Sequence, residues 1–422
     1  MNDDSLEKRT LRKVAWRLIP FVCLLYVLNI LDRSNVGFAR LQMQDDLGLS
    51  EGTFNLGYGM FYVGYLLFEV PSNLLLLRVG ARRWIARIMI SWGLISALTL
   101  LVNDQWSFYG LRILLGIAEA GFFPGIILYL SYWFPNRKRA KMTAFFMVAI
   151  GLANVFGNPT SGFIMQYLDT NAGLHGWQWL FLLEGIPSVI LGICVLYYLT
   201  DHPQDAKWLS DEQRNWLVAH MRSEEQQLQR LHNADRLAAI LQWRVWMLIA
   251  IYFTVAVGSN AGGAYFPKLI KGQFGNLSTF QIGLLSALPH ICAVVGMSLF
   301  GISSDRRNER RGHLTAAALM ATVGWSLTAW SPSPVVGLIG LCVAQTGMMS
   351  MLPVFWTLPS AFLTGAAAAG GIAMVNSVAN IGGIFGATIL GQFGLWSIAA
   401  IHLIGALLAM FGIEKSRIES LA

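Results

Sequence analysis

The chain has 422 residues, of which 55% are hydrophobic and 13% charged, with a formal net charge of +7 and a mean hydropathy of +0.53. An ordinary soluble domain carries about 25% charged residues. Apolar segments of about 20 residues recur here from end to end, which excludes a water-soluble core and indicates an all-α integral membrane protein. The basic residues fall in short loops between apolar runs, where they set orientation in a bilayer and give no reason to expect nucleic acid.

Apolar windows place spans near 15–38, 53–77, 82–102, 106–131, 141–168, 177–199, 243–267, 279–302, 313–331, 334–356, 366–391 and 395–413, twelve in all. The basic N-terminus (Lys8, Arg9, Arg12, Lys13) leads into an apolar run too long for a signal-peptide core and without an obvious cleavage site, so the first helix is expected to be retained. Arg78, Arg82 and Arg83 follow the second span, Arg137, Lys138, Arg139 and Lys141 the fourth, and Arg306, Arg307, Arg310 and Arg311 the eighth. The alternate loops are poorer in basic residues, Lys268 and Lys271 being the main exception, so both termini are expected in the cytoplasm. A polar stretch from Asp201 to Gln242 divides the chain into two bundles of six, 1–200 and 243–422. Ser210 to Gln213 within it has the form of a capping box, which predicts a charged surface helix in this linker.

Among the charges inside the apolar spans, four form two pairs. Asp32 and Arg33 lie in the first span; Arg112 and Glu119 lie in the fourth, seven residues apart and so on nearly one helix face. Ionisable groups inside a bilayer usually face a bundle interior or a wet cavity. At 1.5 Å per residue, Asp32 lies roughly 22 Å up span one and Arg112 roughly 9 Å below the opposite surface, which are similar levels; Tyr65 and Glu119 fall near the midplane. Two carboxylates, two guanidiniums and a phenol suit the coupling of an anion to a proton. Arginine grips carboxylates bidentately, and its movement alters the proton affinity of a buried acid. The expectation is that Arg112 pairs with Asp32 or Glu119 when the site is empty. The alternative is that the charges only neutralise one another and fix helix register.

Glu69 and Glu184 precede prolines in similar settings and read as structural. Asn376 and Asn380 share a face of span eleven, and Asn376 is a candidate neutral partner from the C-terminal half; Trp356, Tyr265, Asn260 and Tyr129 are possible cavity lining, although such aromatics also serve as packing or interface anchors. Cys23, Cys194, Cys292 and Cys342 have no metal or redox spacing, and neither a phosphate-binding loop nor a metalloprotease motif is present. An enzyme is not indicated, and no cofactor or metal is expected.

The turn GISSDRRNERR, with Gly301, Asp305 and Arg306, resembles the cytoplasmic signature of the major facilitator superfamily; in the N-terminal copy Asn73 and Leu77 replace the glycine and aspartate. LDRSNVGFA, FEVPSNLLL with GARRWIARIMI, LRILLGIAEAGFFPG, HGWQWLFLLEGIPSV and PVFWTLP resemble that superfamily's anion:cation symporter family across nearly the whole chain. The resemblance implies a twelve-helix facilitator that imports a small organic anion with protons across a bacterial inner membrane: a sugar acid, a tartrate-like dicarboxylate or an aromatic acid. It implies proton coupling at Asp32 and Glu119, and substrate or gating roles for Arg33, Tyr65, Arg112 and Asn376. The partners expected are substrate, protons and lipid, with the protein a monomer. A uniporter, an exchanger or a transport-incompetent sensor on the same fold is the alternative.

Overall fold

The first apolar run folds as one 44-residue helix, α1 (Asp3–Asp46), longer than a hydrocarbon core of about 30 Å requires at 1.5 Å per residue. The computed structural model describes residues 3–230, 243–358 and 374–413. Beyond α1 the N-terminal half contains α2 (Glu51–Val79), α3 (Ala81–Leu98), α4 (Gln105–Glu119), α5 (Phe122–Trp133), α6 (Asn136–Tyr167) and α7 (Gly176–Tyr198). The surface helix α8 (Asp211–Arg230) follows. The C-terminal half contains α9 (Trp243–Phe274), α10 (Thr279–Arg307), α11 (Arg311–Trp330), α12 (Pro334–Phe355), α13 (Ile381–Phe393) and α14 (Leu395–Gly412). Helical turns from Met374 lead into α13 through a turn at Asn380. With α4 and α5 counted as one crossing and 374–393 as another, these make the twelve spans expected. Among the described residues ten are long and apolar enough to cross a membrane by length and composition, and α6 and α11 pack between them to complete the two bundles. Residues 366–373 of the expected eleventh span and 231–242 of the linker lie outside the described residues.

Span four departs from expectation. It is broken immediately after Glu119, where Ala120 is extended and Gly121 takes φ +86° before α5 begins. A Cβ on Gly121 would lie 2.4 Å from Ser72 Oγ, so both the backbone angle and the space call for glycine. Carbonyls freed by the break need partners in a lipid setting. Ser72 Oγ donates to the Ala120 carbonyl at 2.6 Å, and Arg87 reaches the Ala118 carbonyl at 3.4 Å.

The halves meet along α2–α13, α6–α10 and α1–α9. The α1–α9 contact is made backbone to backbone: a Cβ on Gly37 would lie 2.2 Å from the Gly263 carbonyl oxygen. The two ends of the bundle differ in chemistry. The basic end gathers the loops after α2, α7 and α10. There Arg17 lies 4.7 Å from the Tyr198 ring and 5.0 Å from Trp208, while Ala206, Leu209 and Leu217 are buried. The first part of the linker therefore packs on the N-terminal half, and Ser210 and Gln213 form the expected reciprocal cap at 3.3 Å.

Asp201 takes over the place left by the aspartate missing from the N-terminal basic turn: its Oδ1 accepts the Arg82 amide at 2.7 Å and its Oδ2 lies 3.7 Å from Arg82 Nε. In the C-terminal turn Asp305 pairs with Arg310 at 2.6 Å, Arg306 is exposed, and Gly301 lets Pro353 approach to what would be 3.5 Å from a Cβ. Glu309 caps α11, accepting the Gly312 amide at 2.5 Å, the His313 amide at 3.0 Å and the His313 ring at 2.7 Å. Partial burial pushes the Glu309 carboxyl up, but the bonds from Gly312 and His313 outweigh it and hold the group below its ordinary value. Between α13 and α14 the connection is Gly394 alone, at φ +72°.

Candidate functional site

The four charges come together between α1 and α4, with α2 as the third wall. Asp32 is 1% exposed, Arg112 2% and Glu119 0%, so nearly all of their interactions are with protein. Asp32 and Arg33 are adjacent, and one helical step turns their side chains about 100° apart. Asp32 turns to α3, where Ser96 Oγ donates a short hydrogen bond to its Oδ1. Asn35 Nδ2 donates to the same oxygen at 3.1 Å. Arg33 turns the other way and donates from Nε to Glu119 Oε1 in a short, charge-assisted bond.

This corrects the expected pairing. The guanidinium bound to Glu119 belongs to Arg33, and Arg112 pairs with neither acid: its Nε and Nη1 have no hydrogen-bond partner. Aromatic rings flank both cations, and for Arg112 they stand in place of an acid. Arg112 Cζ lies 5.0 Å from the Phe61 ring and 5.8 Å from Tyr58; Arg33 Cζ lies 5.4 Å from Phe61 and 4.9 Å from Tyr65. A cation over an aromatic face gains about 0.5–2 kcal/mol, but a ring satisfies none of the guanidinium's in-plane N–H donors. Arg112 is thus a buried charged donor with two nitrogens unbonded, and Asp32 Oδ2 and Glu119 Oε2 are also without hydrogen-bond partners.

The α2 wall is a stripe of polar side chains. Glu51, Asn55, Tyr58, Tyr62, Tyr65 and Glu69 recur at helical spacings of three and four residues, so they share one face. The stripe is visible in the sequence as EGTFNLGYGMFYVGYLLFE, yet of its members only Tyr65 and Glu69 stand out without the fold. Four of the six bind the C-terminal half. Glu51 meets Lys268 at 2.8 Å, and Asn55 meets the Tyr265 hydroxyl at 2.8 Å. Tyr62 donates a short bond to Asn260, and Glu69 accepts from Asn376 at 3.3 Å and Ser377 at 3.0 Å.

Among the C-terminal candidates, Asn260 and Asn376 thus face the N-terminal half, as cavity residues would. Asn380 sits half-buried in the turn that starts α13. Trp356 packs on Tyr252 and Phe355, at 5.1 and 5.5 Å between rings. Tyr265 belongs to a second cluster away from the four charges. Its hydroxyl lies 2.8 Å from Glu51, 3.4 Å from Arg40 and against Asn55, and Arg40 also reaches Glu51 at 3.3 Å and Asn55 at 3.1 Å. With Gly37 against Gly263 one turn away, this cluster ties α1, α2 and α9 together at the end of the molecule opposite the basic turns. Tyr129 is structural, its hydroxyl bonding the Thr200 carbonyl at 3.0 Å. Of the two proline-preceding acids, Glu184 accepts from Ser161 inside the N-terminal half at 2.8 Å, whereas Glu69 crosses between halves and does not tie down a helix end. Among the described residues no group of three or more His, Cys, Asp or Glu side chains is placed to hold a metal ion.

The profile of the Major Facilitator Superfamily matches residues 22–387. A protein named "Putative tartrate transporter" from Agrobacterium vitis is 47% identical over 416 residues, covering 96% of this chain and 92% of its own length. A "Quinolone resistance transporter" from Acinetobacter baumannii is 40% identical over 413 residues, covering 96% and 95%. In fold the chain is similar to the inward open conformation of the xylose transporter XylE from E. coli, with a TM-score of 0.76 at 16% identity, covering 96% of this chain and 99% of that one.

Proposed function

The chain belongs to the Major Facilitator Superfamily of membrane transporters, and from that membership we propose that it imports a small organic anion together with protons by alternating access. One observation carries the reading: a buried guanidinium, Arg112, without a carboxylate, beside another, Arg33, that already holds one. A substrate carboxylate entering between α1, α2 and α4 is gripped by Arg112 through its free N–H groups. Protonation of Glu119 loosens Arg33, which then becomes available to the same anion. Proton and anion thereby favour each other's binding, which is the requirement for symport.

Asp32 serves as the second acid in this scheme. Its partners on Oδ1 are neutral donors, so a proton can be taken up there without breaking an ion pair. Asn376 and Asn260 complete the site from the C-terminal half with groups suited to hydroxyls. The protein acts as a monomer in a bacterial inner membrane, with both termini and the basic turns in the cytoplasm and the Tyr265 cluster as the outer barrier. The relative named for tartrate supports a hydroxylated dicarboxylate as cargo.

The relative named for quinolone resistance favours a second reading, export of a larger acid. Purified protein in proteoliposomes containing a pH dye, given tartrates, sugar acids and aromatic acids in turn, separates these readings. Acidification driven by one acid, and abolished by Asp32→Asn or Glu119→Gln, supports symport. Exchange of labelled acid without proton movement overturns proton coupling, and transport of a quinolone in place of every panel acid overturns the small-anion reading.

A further inference from the structure

Glu69 has no role in the scheme above, yet it is one of the few acids that cross between the two halves. It lies on α2, 4% exposed, one helical turn beyond Tyr65 and on the same polar stripe. Among the described residues no cation lies within ion-pairing distance of it. Its two oxygens are instead each taken by one of two consecutive residues of the C-terminal half: Asn376 Nδ2 to Oε1 at 3.3 Å and Ser377 Oγ to Oε2 at 3.0 Å. An amide N–H and a hydroxyl converging on the two oxygens of one carboxylate form the donor set that would bind a free organic acid.

We infer that Glu69 is an internal occupant of the C-terminal half-site, holding Asn376 and Ser377 against α2 until a substrate carboxylate or hydroxyl takes those donors from it. The inference rests on the reading of the chain as an organic-anion transporter and adds a competing residue to it. The competition has two consequences. The empty protein keeps α2 and the 374–393 segment clasped, so the donors are satisfied while no cargo is present. Cargo that takes the donors also releases this clasp, and the halves gain freedom to move only when the site is filled. Glu69 is a positioning residue in this account: it acts on the cargo through Asn376 and Ser377. A carboxylate there also disfavours anions unable to outcompete it, which sets a threshold for cargo able to offer two acceptors at once.

The test uses Glu69→Gln and Glu69→Asp in the full chain, with L-tartrate as the probe anion. Glutamine keeps the size and one acceptor but removes the charge, so the expected result is tighter L-tartrate binding, by roughly three- to tenfold, with turnover reduced; aspartate should fall between glutamine and wild type. Unchanged or weaker binding in Glu69→Gln overturns the inference. A second measurement needs no cargo: spin labels at Leu67 and Phe385, which are 64% and 48% exposed on α2 and α13, report the distance between the two segments. Glu69→Gln should broaden and lengthen that distance in the empty protein, and an unchanged distribution overturns the clasp. If L-tartrate and every other panel acid fail to bind wild type, the transport reading fails, and the label distances still decide whether Glu69 holds α13.

Discussion

Arg33 of α1 donates to Glu119 at the end of α4, 86 positions away, and leaves Arg112 of the same α4 without an acid. The pairing leaves one guanidinium matched and the other unmatched. Removing Arg33 strands a fully buried carboxylate, a loss that typically costs about 3–5 kcal/mol. Arg33→Ala should therefore lower thermal stability in detergent markedly, and Arg33→Ala with Glu119→Gln should recover most of it. Arg112→Lys should leave stability nearly unchanged but weaken anion uptake at least about tenfold, equivalent to about 1.4 kcal/mol. Normal uptake by Arg112→Lys would remove the bidentate role.

Gly37 and Gly263 bring α1 and α9 into backbone contact, with room for no Cβ on Gly37. Gly37→Ala should keep the two halves folded but prevent closure of that end. The expected result is a protein of near-normal melting temperature whose transport falls by more than about tenfold. Labelling of single cysteines on both faces would show the opposite end closed in its place. A fully active Gly37→Ala protein would mean that this contact is not obligatory in the cycle.

Tyr265 joins Glu51, Asn55 and Arg40 through one hydroxyl. Tyr265→Phe keeps the ring over which Arg40 lies at 4.2 Å and removes only those bonds, each worth about 0.5–1.5 kcal/mol net. Hydrogen exchange of the segments around residues 37–44 and 260–271 should rise several-fold, while exchange at the basic end stays as in wild type. Equal exchange in both proteins would place the barrier elsewhere.

Glu309 offers a pH test outside the bilayer. Its carboxyl is held below its ordinary value of 4.5. A depressed folded value means that its stabilisation is full above pH 4.5 and is lost as pH falls through the lower folded value. Glu309→Gln should cost about 1 kcal/mol at pH 7, as loss of a helix cap does. The gap between wild type and variant should narrow as pH falls below 4.5. A gap independent of pH would show that the charge does not matter.

The sequence carries the spans, their number and the basic turns, because lipid allows no other reading of apolar runs of about 20 residues. It also marks the four buried charges, since Asp32–Arg33, Arg112 and Glu119 stand out against an apolar background. The break after Glu119 was not legible, since the apolar pattern runs unbroken over 106–131; glycine is required at 121 by its positive φ and, separately, by Ser72 of another helix, which occupies the space where a Cβ would go. Glu69 looked like a proline neighbour because its partners, Asn376 and Ser377, lie 307 and 308 positions away.

What the sequence by itself determined is which residues are too costly to bury without a purpose: Asp32, Arg33, Arg112 and Glu119. Only the tertiary structure decided how they are matched. Four charges on two helices permit several pairings of similar Coulomb energy, and the choice falls to the rotation of α1 against α3 and α4. That rotation sends Asp32 to Ser96 and Arg33 to Glu119, and it leaves Arg112 against Phe61 and Tyr58. Helical periodicity fixes the angle between neighbouring side chains, whereas packing of the whole bundle fixes where each of them points.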